Sequence, residues 1–289
     1  MEVACGQCIG CRLDRSRVWA VRIIHECSLH EMDEGNCFIT LTYDDEHVPE
    51  DWSLRKSDFQ KFMKRLRKGH RQRIRFFHVG EYGKKCKHCS PYSERTVEDC
   101  EYCNVGRPHY HAVLFNCSFR DLEPVGSSNG VVYYTSARLQ SFWPHGFVQV
   151  GDVTFESAAY VSRYVLKKRN GELADSHYVL VDQDGVATWV LPEYCTMSRR
   201  PGIGREWYEK YKEDVFPSDE VPVPGVGVLK GVPRYYEELL AEEDEAMREE
   251  VKAVRALFMK HHAQDYTPER LMDRYKVKCA QAKMLEESL

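Results

Sequence analysis

The sequence predicts an α+β fold, in which an antiparallel, ferredoxin-like sheet carries helices on one face. Two observations predict it. Short runs of β-branched and aromatic residues alternate with amphipathic helical segments in the order β-α-β-β-α-β-α. Hydrophobic residues make up 43% of the 289 residues, which is enough apolar side chain to bury a core.

Local patterns place the individual elements. Ser57 and Gln60 fit a capping box at the start of one helix, and Gly69 fits its end. Pro144 ends a shorter helix further along the chain. The predicted helices span 12–29, 57–68, 136–143 and 154–168, and the predicted strands span 37–43, 73–81, 109–116 and 146–150.

The signals weaken after Gly171. Residues 177–190 predict a hairpin around Asp184 and Gly185, and residues 217–233, rich in Pro, Gly and Val, predict a linker or an extended wrap. A helix with an acidic, solvated face is predicted at 235–260, and a last helix follows from Pro268. The chain therefore divides into a domain at 1–175, with an insertion at 84–105, and an accessory region at 176–289.

Charge and hydropathy restrict the class of protein. A formal net charge of −4 excludes a uniformly basic nucleic-acid coat, although local charge can still meet phosphates. The sequence shows no apolar run of membrane-spanning length and no signal-peptide pattern, which predicts a soluble intracellular protein without a membrane partner. Ten cations between positions 55 and 75 face one acid, Asp58, and we expect phosphate contact there. The predicted DNA-binding residues are Lys61, Lys64, Arg65, Arg67, Lys68 and Arg71.

The clearest metal signature is a pair of C-x-x-C knuckles. Twelve cysteines in a chain without an export signal favour metal ligation over disulfide bonding. Cys86, Cys89, Cys100 and Cys103 supply four thiolates for a tetrahedral, structural Zn²⁺, and His88 is an alternative to one of them. Such a site would make the 84–105 insertion a rigid zinc ribbon.

A second cysteine cluster opens the chain. Cys5, Cys8 and Cys11 follow each other at C-x-x-C spacing and form a candidate second zinc site. Three thiolates leave a tetrahedral shell one ligand short, so Cys27 or Cys37 would have to complete it. Whether this cluster binds zinc stays open at the level of the sequence.

A second kind of metal site is predicted on the strands. His109 and His111 lie two apart on one strand and therefore project from the same face. Glu81 ends the strand that should pair with theirs and is the candidate carboxylate ligand. The alternative is a pair of ordinary core or surface histidines. The set predicts a catalytic Mn²⁺ or Mg²⁺, and its imidazoles suit Mn²⁺, Co²⁺ or Zn²⁺ better than Mg²⁺.

The third constellation is a pair of tyrosines on a helix. Tyr160 and Tyr164 lie one turn apart on one face, and Lys167 continues that face. Aromatic packing with a cationic helix end explains the pattern equally well when it stands alone. Beside a metal and a cation, however, a phenol is a competent nucleophile for phosphorus.

Taken in this order, the motifs resemble those of HUH-class replication initiators, specifically those of the small single-stranded-DNA phages of the Microviridae, gokushovirus type. The segments that carry the resemblance are 5–11, 38–43, 109–111, 160–167, 198–204 and 208–217. The resemblance covers most of the chain. It implies an RRM-like HUH endonuclease domain at 1–175 and a rolling-circle initiator that nicks and joins DNA through a 5′-phosphotyrosine.

The resemblance also implies roles for single residues. His109 and His111 match the metal-binding pair, and Glu81 stands where related initiators supply an acidic third ligand. Tyr160 and Tyr164 match the two-tyrosine motif, and Lys167 matches the lysine that follows a tyrosine by three positions, whereas Arg163 departs from the lysine expected after Tyr160. The implied partners are single-stranded DNA and a phage replication origin in the cytoplasm of a bacterial host, with host helicase and polymerase as further candidates.

Two other functions compete with this one. A non-enzymatic zinc-ribbon DNA-binding regulator would explain the cysteines and the basic run, but it leaves the histidine and tyrosine motifs without a role. A zinc hydrolase built on the His109–His111 strand would lack a following Asp-His pair at short spacing. Covalent attachment of the protein to DNA distinguishes a nickase from both.

Overall fold

The computed structural model describes residues 5–6, 8–83, 106–128, 131–164, 178–181 and 187–287. Within these residues the helices are α1 (Ile9–Ser28), α2 (Lys56–Lys68), α3 (Ala137–Phe142), α4 (Phe155–Tyr164), α5 (Arg205–Val215), α6 (Arg234–Glu243), α7 (Glu245–His261) and α8 (Pro268–Glu287), with a 3₁₀ turn at Ala263–Tyr266. The strands are β1 (Asn36–Tyr43), β2 (Arg75–Tyr82), β3 (Pro108–Phe115), β4 (Leu122–Ser128), β5 (Val131–Ser136), β6 (Gly146–Gly151), β7 (Val179–Val181), β8 (Ala187–Trp189), β9 (Tyr194–Met197), β10 (Glu220–Val223) and β11 (Gly227–Lys230).

Seven strands form one sheet in the order β4-β5-β6-β1-β3-β2-β9, and every neighbouring pair is antiparallel. Two further pairs, β7 with β8 and β10 with β11, form separate hairpins. The predicted α+β class and antiparallel sheet are thereby confirmed.

The two faces of the sheet carry different residues. One face packs against α2 and α3 and builds a buried apolar core. Its members include Phe59, Phe62 and Leu66 from α2, Leu139 from α3, and Leu41, Tyr110, Leu114 and Val148 from the strands. Because side chains alternate along a strand, the residues between these strand positions point to the other face. His109 and His111 are among them.

The chain folds into two compact units, each assembled from separate stretches. The first contains Met1–Leu29, Thr154–Arg163 and Arg199–Leu289, and the second contains His30–Val153 and Tyr164–Ser198. The first unit is built around a buried histidine, His25. Its Nδ1 lies 2.8 Å from the hydroxyl of Tyr236, its Nε2 lies 2.9 Å from the carbonyl oxygen of Pro222, and its ring stacks on Trp207 at 3.4 Å.

The capping box predicted at Ser57 is wrong. Helix α2 begins at Lys56, and no side chain of the described residues caps its first turn. A buried tyrosine instead holds the backbone just before the helix. The hydroxyl of Tyr110 accepts a hydrogen bond from the Arg55 N–H at 2.9 Å and donates one to the Arg55 carbonyl at 3.0 Å. The helix ends at Lys68, before Gly69, as predicted.

Other differences concern the second half of the chain. The segment predicted as a linker at 217–233 forms the β10–β11 hairpin. The single helix predicted at 235–260 is two helices, broken at Asp244, whose carboxylate accepts the Met247 N–H at the start of α7. The hairpin at 177–190 is confirmed by the β7–β8 pair, and β4 and β5 form a hairpin that the sequence did not predict.

Some predictions fall outside the described residues. These are the zinc ribbon at 84–105 with its four cysteines, the domain boundary between 175 and 176, and Lys167. Among the helices that the structure describes, none is both long and apolar enough to cross a membrane.

Candidate active site

The structure brings together the three residues predicted to bind the catalytic metal. Strands β2 and β3 pair so that Glu81 stands directly opposite His109, and His111 follows two positions later on the same face. The Nε2 atoms of both histidines lie 2.9 Å from Oε1 of Glu81. We call Glu81, His109 and His111 the triad.

The other nitrogen of each imidazole has its own partner. Nδ1 of His111 lies 2.9 Å from the hydroxyl of Thr40, and Nδ1 of His109 lies 3.1 Å from the carbonyl oxygen of Arg107. A carbonyl oxygen only accepts hydrogen bonds, so Nδ1 of His109 must carry its proton. In a neutral His109 the lone pair of Nε2 then faces the carboxylate of Glu81. A cation between them, either a proton or a metal ion, relieves that repulsion.

Glu81 is buried yet ionised. Burial acts to raise its pKa, but the hydrogen bonds and charges of His109 and His111 outweigh burial and lower the pKa to about 2. A carboxylate that stays charged while only 3% exposed needs positive charge beside it. The triad therefore favours a cation beside the buried carboxylate of Glu81.

The donor set fits a divalent cation. All three side chains offer a ligand atom, and these atoms lie within 4.8 Å of one another. Ligand atoms about 3 Å apart match neighbouring positions around an ion with metal–ligand distances of about 2.1 Å. Two imidazoles and one carboxylate suit Mn²⁺, Co²⁺ or Zn²⁺, and with added water ligands also Mg²⁺.

Thr40 and Phe38 surround the triad, and neither was assigned a role at this site from the sequence. Thr40 pairs with His111 across the β1–β3 ladder, and the ring of Phe38 stacks on His111 at 5.5 Å between centroids. Both lie at alternate positions of the predicted first strand, so the sequence predicts that they share a face of the sheet. It does not predict which strand lies beside theirs.

The tyrosine helix is described only in part. Tyr160 lies in α4, and the guanidinium of Arg163 sits 5.8 Å from its ring centre. Tyr164 is the last residue of α4, and its side chain lies outside the described part, as does Lys167. Tyr160 belongs to the first compact unit and the triad to the second.

The predicted DNA-binding residues lie on or just after α2, which packs against the sheet face opposite the triad. Lys61, Lys64, Lys68 and Arg71 are exposed there. Two arginines also serve the fold, because Arg65 donates to the Phe142 carbonyl at 2.8 Å and Arg67 to the Ile74 carbonyl at 3.0 Å.

The amino-terminal cysteines converge at the start of α1. Sγ of Cys11 lies 3.5 Å from Sγ of Cys8 and 3.9 Å from Sγ of Cys5. Four thiolates at about 2.3 Å from a tetrahedral Zn²⁺ would be about 3.8 Å apart. The completion by Cys27 is wrong, because it lies sixteen residues further along the same helix, about 24 Å away. Cys37 is 4% exposed in the apolar core of the sheet and is a packing residue.

A further described cysteine, Cys279, lies on α8, a helix that packs against α1. It is not among the thiols whose sulfur atoms lie within 4.8 Å of one another, so the cluster has three ligands within the described residues.

The chain is similar to known replication proteins. A family model for replication-associated proteins of the ORF2 type matches residues 36–89 and 95–169. The replication-associated protein VP4 of Bdellovibrio phage phiMH2K is 34% identical over 244 residues, which cover 81% of this chain and 66% of that protein. The replication-associated protein ORF2 of Spiroplasma virus 4 is 32% identical over 254 residues, covering 84% of this chain and 68% of that protein.

The chain thus spans about two thirds of the length of these two relatives. No solved structure matches it significantly. The residues matched by the family model include strands β1, β2 and β3 and helix α4. The chain therefore belongs to the ORF2 family of replication-associated proteins, and is of the Microviridae type.

Proposed function

We propose that this protein initiates rolling-circle replication of phage DNA by nicking one strand with a tyrosine and later rejoining it. The observation that supports this most directly is the convergence of two imidazole Nε2 atoms on one buried carboxylate, with both Nδ1 atoms already engaged. The names of the relatives support a role in replication. The strand order β6-β1-β3-β2, with α2 between β1 and β2, supports a ferredoxin-like HUH core.

Each member of the triad has a proposed role. Glu81, His109 and His111 would hold Mn²⁺ or Mg²⁺, which when bound polarises a phosphate oxygen and offsets the charge that develops on it. The Arg107 carbonyl holds His109 in the tautomer that presents Nε2, and the Thr40 hydroxyl helps to hold the ring of His111 in its orientation. The surrounding sheet keeps these atoms in place before DNA arrives.

The tyrosines supply the nucleophile. The phenolic oxygen of Tyr160 or Tyr164 attacks the phosphorus, and the bond between phosphorus and the 3′-oxygen breaks. The products are a 5′-phosphotyrosine and a free 3′-hydroxyl, which primes copying of the intact strand. Lys167 would stabilise the charge that builds up during the transfer. Reversal by a 3′-hydroxyl reseals the strand without ATP, because the phosphotyrosine retains the energy of the original ester.

DNA binding is proposed to involve the exposed cations of α2. Because α2 lies across the sheet from the triad, it would hold a stretch of DNA other than the one being cut. Single-stranded DNA and the phage origin are the proposed partners, with host helicase and polymerase as further candidates. The reaction would take place in the cytoplasm of the bacterial host.

Zinc is proposed as a structural ion in two places. Cys86, Cys89, Cys100 and Cys103 would form one shell. The second would use the three cysteines at the start of α1, whose sulfur separations fit a tetrahedral thiolate site.

A covalent-capture experiment tests the nickase. The full chain is incubated with labelled single-stranded origin DNA and Mn²⁺, and the denatured mixture is examined for protein–DNA adduct. We expect an adduct with the wild-type protein and none after His109→Ala and His111→Ala, with DNA binding largely retained. Binding without any adduct in the wild type would favour the zinc-ribbon regulator instead. Loss of binding in the histidine variant would mark both residues as structural.

A further inference from the structure

We propose that Phe147 is a stacking platform for a nucleobase that neighbours the phosphate held at the triad. This inference rests on the proposed function, and it names how the same site would grip single-stranded DNA. It concerns a residue on a different strand from the triad, which none of the sequence motifs contains.

The sheet register places Phe147 in line with the triad. Thr42 on β1 pairs with Phe147 of β6 on one side and with His109 of β3 on the other. His109 in turn pairs with Glu81 of β2. Directly paired residues project from the same face, so these four side chains form one row across four neighbouring strands. With strands about 4.8 Å apart, Phe147 stands about 10 Å from His109 along the row.

Phe147 is exposed although the core-facing residues of its strand are buried. It is 65% exposed near the start of β6, where it pairs with β1, whereas β5 pairs with β6 further along, at Val150. The next residues of β6 that face the core, Val148 and Val150, are 4% and 3% exposed. The ring of Phe147 is not part of the apolar core and is therefore available to a ligand.

The neighbourhood indicates what that ligand is. Once a divalent ion is bound, the triad attracts an anion, whereas the ring of Phe147 offers a flat apolar surface. A nucleotide carries an anionic group and a flat aromatic group that can span such a separation of about 10 Å. Duplex bases are already stacked on each other, so an unpaired base fits the ring best. Gln149, exposed and in the adjoining row with Thr40 and His111, adds an amide that can meet the polar edge of a base.

The test measures binding and cleavage separately. Origin oligonucleotides with 2-aminopurine at successive positions around the mapped nick are titrated with full-chain protein without added Mn²⁺ or Mg²⁺ and without chelator, so that no catalytic ion is supplied and the proposed structural zinc stays in place. We expect one position to be quenched on binding. Phe147→Ala should abolish that quenching and weaken binding about 5- to 150-fold, the range of base–aromatic stacking, whereas Phe147→Trp should restore both.

Two controls make the result specific. Trp189→Ala removes another exposed aromatic of the same unit, 62% exposed on β8, and should leave binding unchanged. An abasic site at the quenched position should weaken DNA binding by the wild type. It should not weaken binding by Phe147→Ala further, because that variant has already lost the ring on which the base would stack. Equal binding by Phe147→Ala and wild type, or an equal loss with intact and abasic DNA, would overturn the platform.

Adduct formation in Mn²⁺ distinguishes this failure from failure of the nickase. If the platform is correct, Phe147→Ala raises the DNA concentration needed for half-maximal adduct formation and changes the rate at saturation much less. If the wild type forms an adduct and Phe147→Ala matches it at every DNA concentration, the platform is wrong and the nickase stands. If the wild type forms no adduct at all, the proposed function fails, and the fluorescence titration still decides whether a base stacks on Phe147.

Discussion

Thr40 should control the metal affinity of the triad without touching the metal. Its hydroxyl lies 2.9 Å from Nδ1 of His111, a residue only 7% exposed, so few other partners can reach that nitrogen. Thr40→Val keeps the shape of the side chain and removes the hydroxyl. His111 then loses the contact on Nδ1 that holds its ring with Nε2 toward Glu81. Loss of such an outer partner weakens metal binding about 10- to 100-fold, or about 1.4 to 2.7 kcal/mol.

The chain offers a matched control on the same strand face. The hydroxyl of Thr42 donates to the Phe147 carbonyl at 3.3 Å, and within the described residues no hydrogen bond joins it to either histidine. Mn²⁺ affinity would be measured on the full chain from the electron paramagnetic resonance signal of the free ion. We expect a large loss for Thr40→Val and less than about a twofold change for Thr42→Val. Equal affinities for Thr40→Val and wild type, or equal losses in the two variants, would refute the role of Thr40 in positioning His111.

Three further predictions concern other parts of the chain. Tyr164→Phe should reduce first-strand cleavage more than Tyr160→Phe, because Lys167 follows Tyr164 by three positions in the sequence, whereas Arg163 takes that place after Tyr160. The double variant should form no adduct, and peptide mapping of the trapped species checks both expectations. Burial lowers the pKa of His25 to about 4, although the Pro222 carbonyl opposes it. Between about pH 6.5 and pH 4 the unfolded chain therefore binds a proton at His25 that the folded chain does not bind. The stability that neutral His25 contributes is complete above pH 6.5 and is lost as the pH falls toward 4. Between pH 7 and pH 4.5 this loss is about 2.5 kcal/mol, and urea unfolding at the two pH values should show a total loss that is smaller by this amount in a folded His25→Gln variant than in the wild type. Cys11→Ser should lower the zinc content of the purified protein by up to one ion, as measured by mass spectrometry, and a full zinc complement would exclude Cys5, Cys8 and Cys11 as a zinc site.

The strands of the site were predictable because their side chains alternate or form β-branched runs. Strands β1, β2, β3 and β6 all lie within a few residues of their predicted positions. The meeting of Glu81 with the two histidines followed from the pairing of consecutive strands. The roles of Thr40 and Phe147 did not follow, because both depend on β1 lying between β3 and β6, which are distant in sequence.

The missed strands lack the pattern that reveals a strand. Strand β4 contains Pro124 and Gly126, and its residues from 122 to 127 are exposed, so no apolar face marks it. In the segment predicted as a linker, Val221 and Val223 are buried and alternate with exposed or half-buried neighbours. Strands of four residues give too few repeats of this alternation to outweigh a composition rich in Pro and Gly.

The residue between the two histidines explains how one strand can serve both faces of the sheet. Tyr110 points away from the triad, is fully buried, and its hydroxyl lies 2.7 Å from that of Tyr43 while bonding both backbone groups of Arg55. The strand that presents the histidines is thereby fixed to the start of the basic helix α2. This rigid support holds the two histidines in position, and it comes from Tyr110 rather than from the histidine side chains themselves. Since α2 and the triad lie on opposite faces of the sheet, loss of positive charge from α2 should weaken DNA binding and reduce its salt dependence. The rate at which bound DNA is cleaved should not change, because that rate depends on the triad.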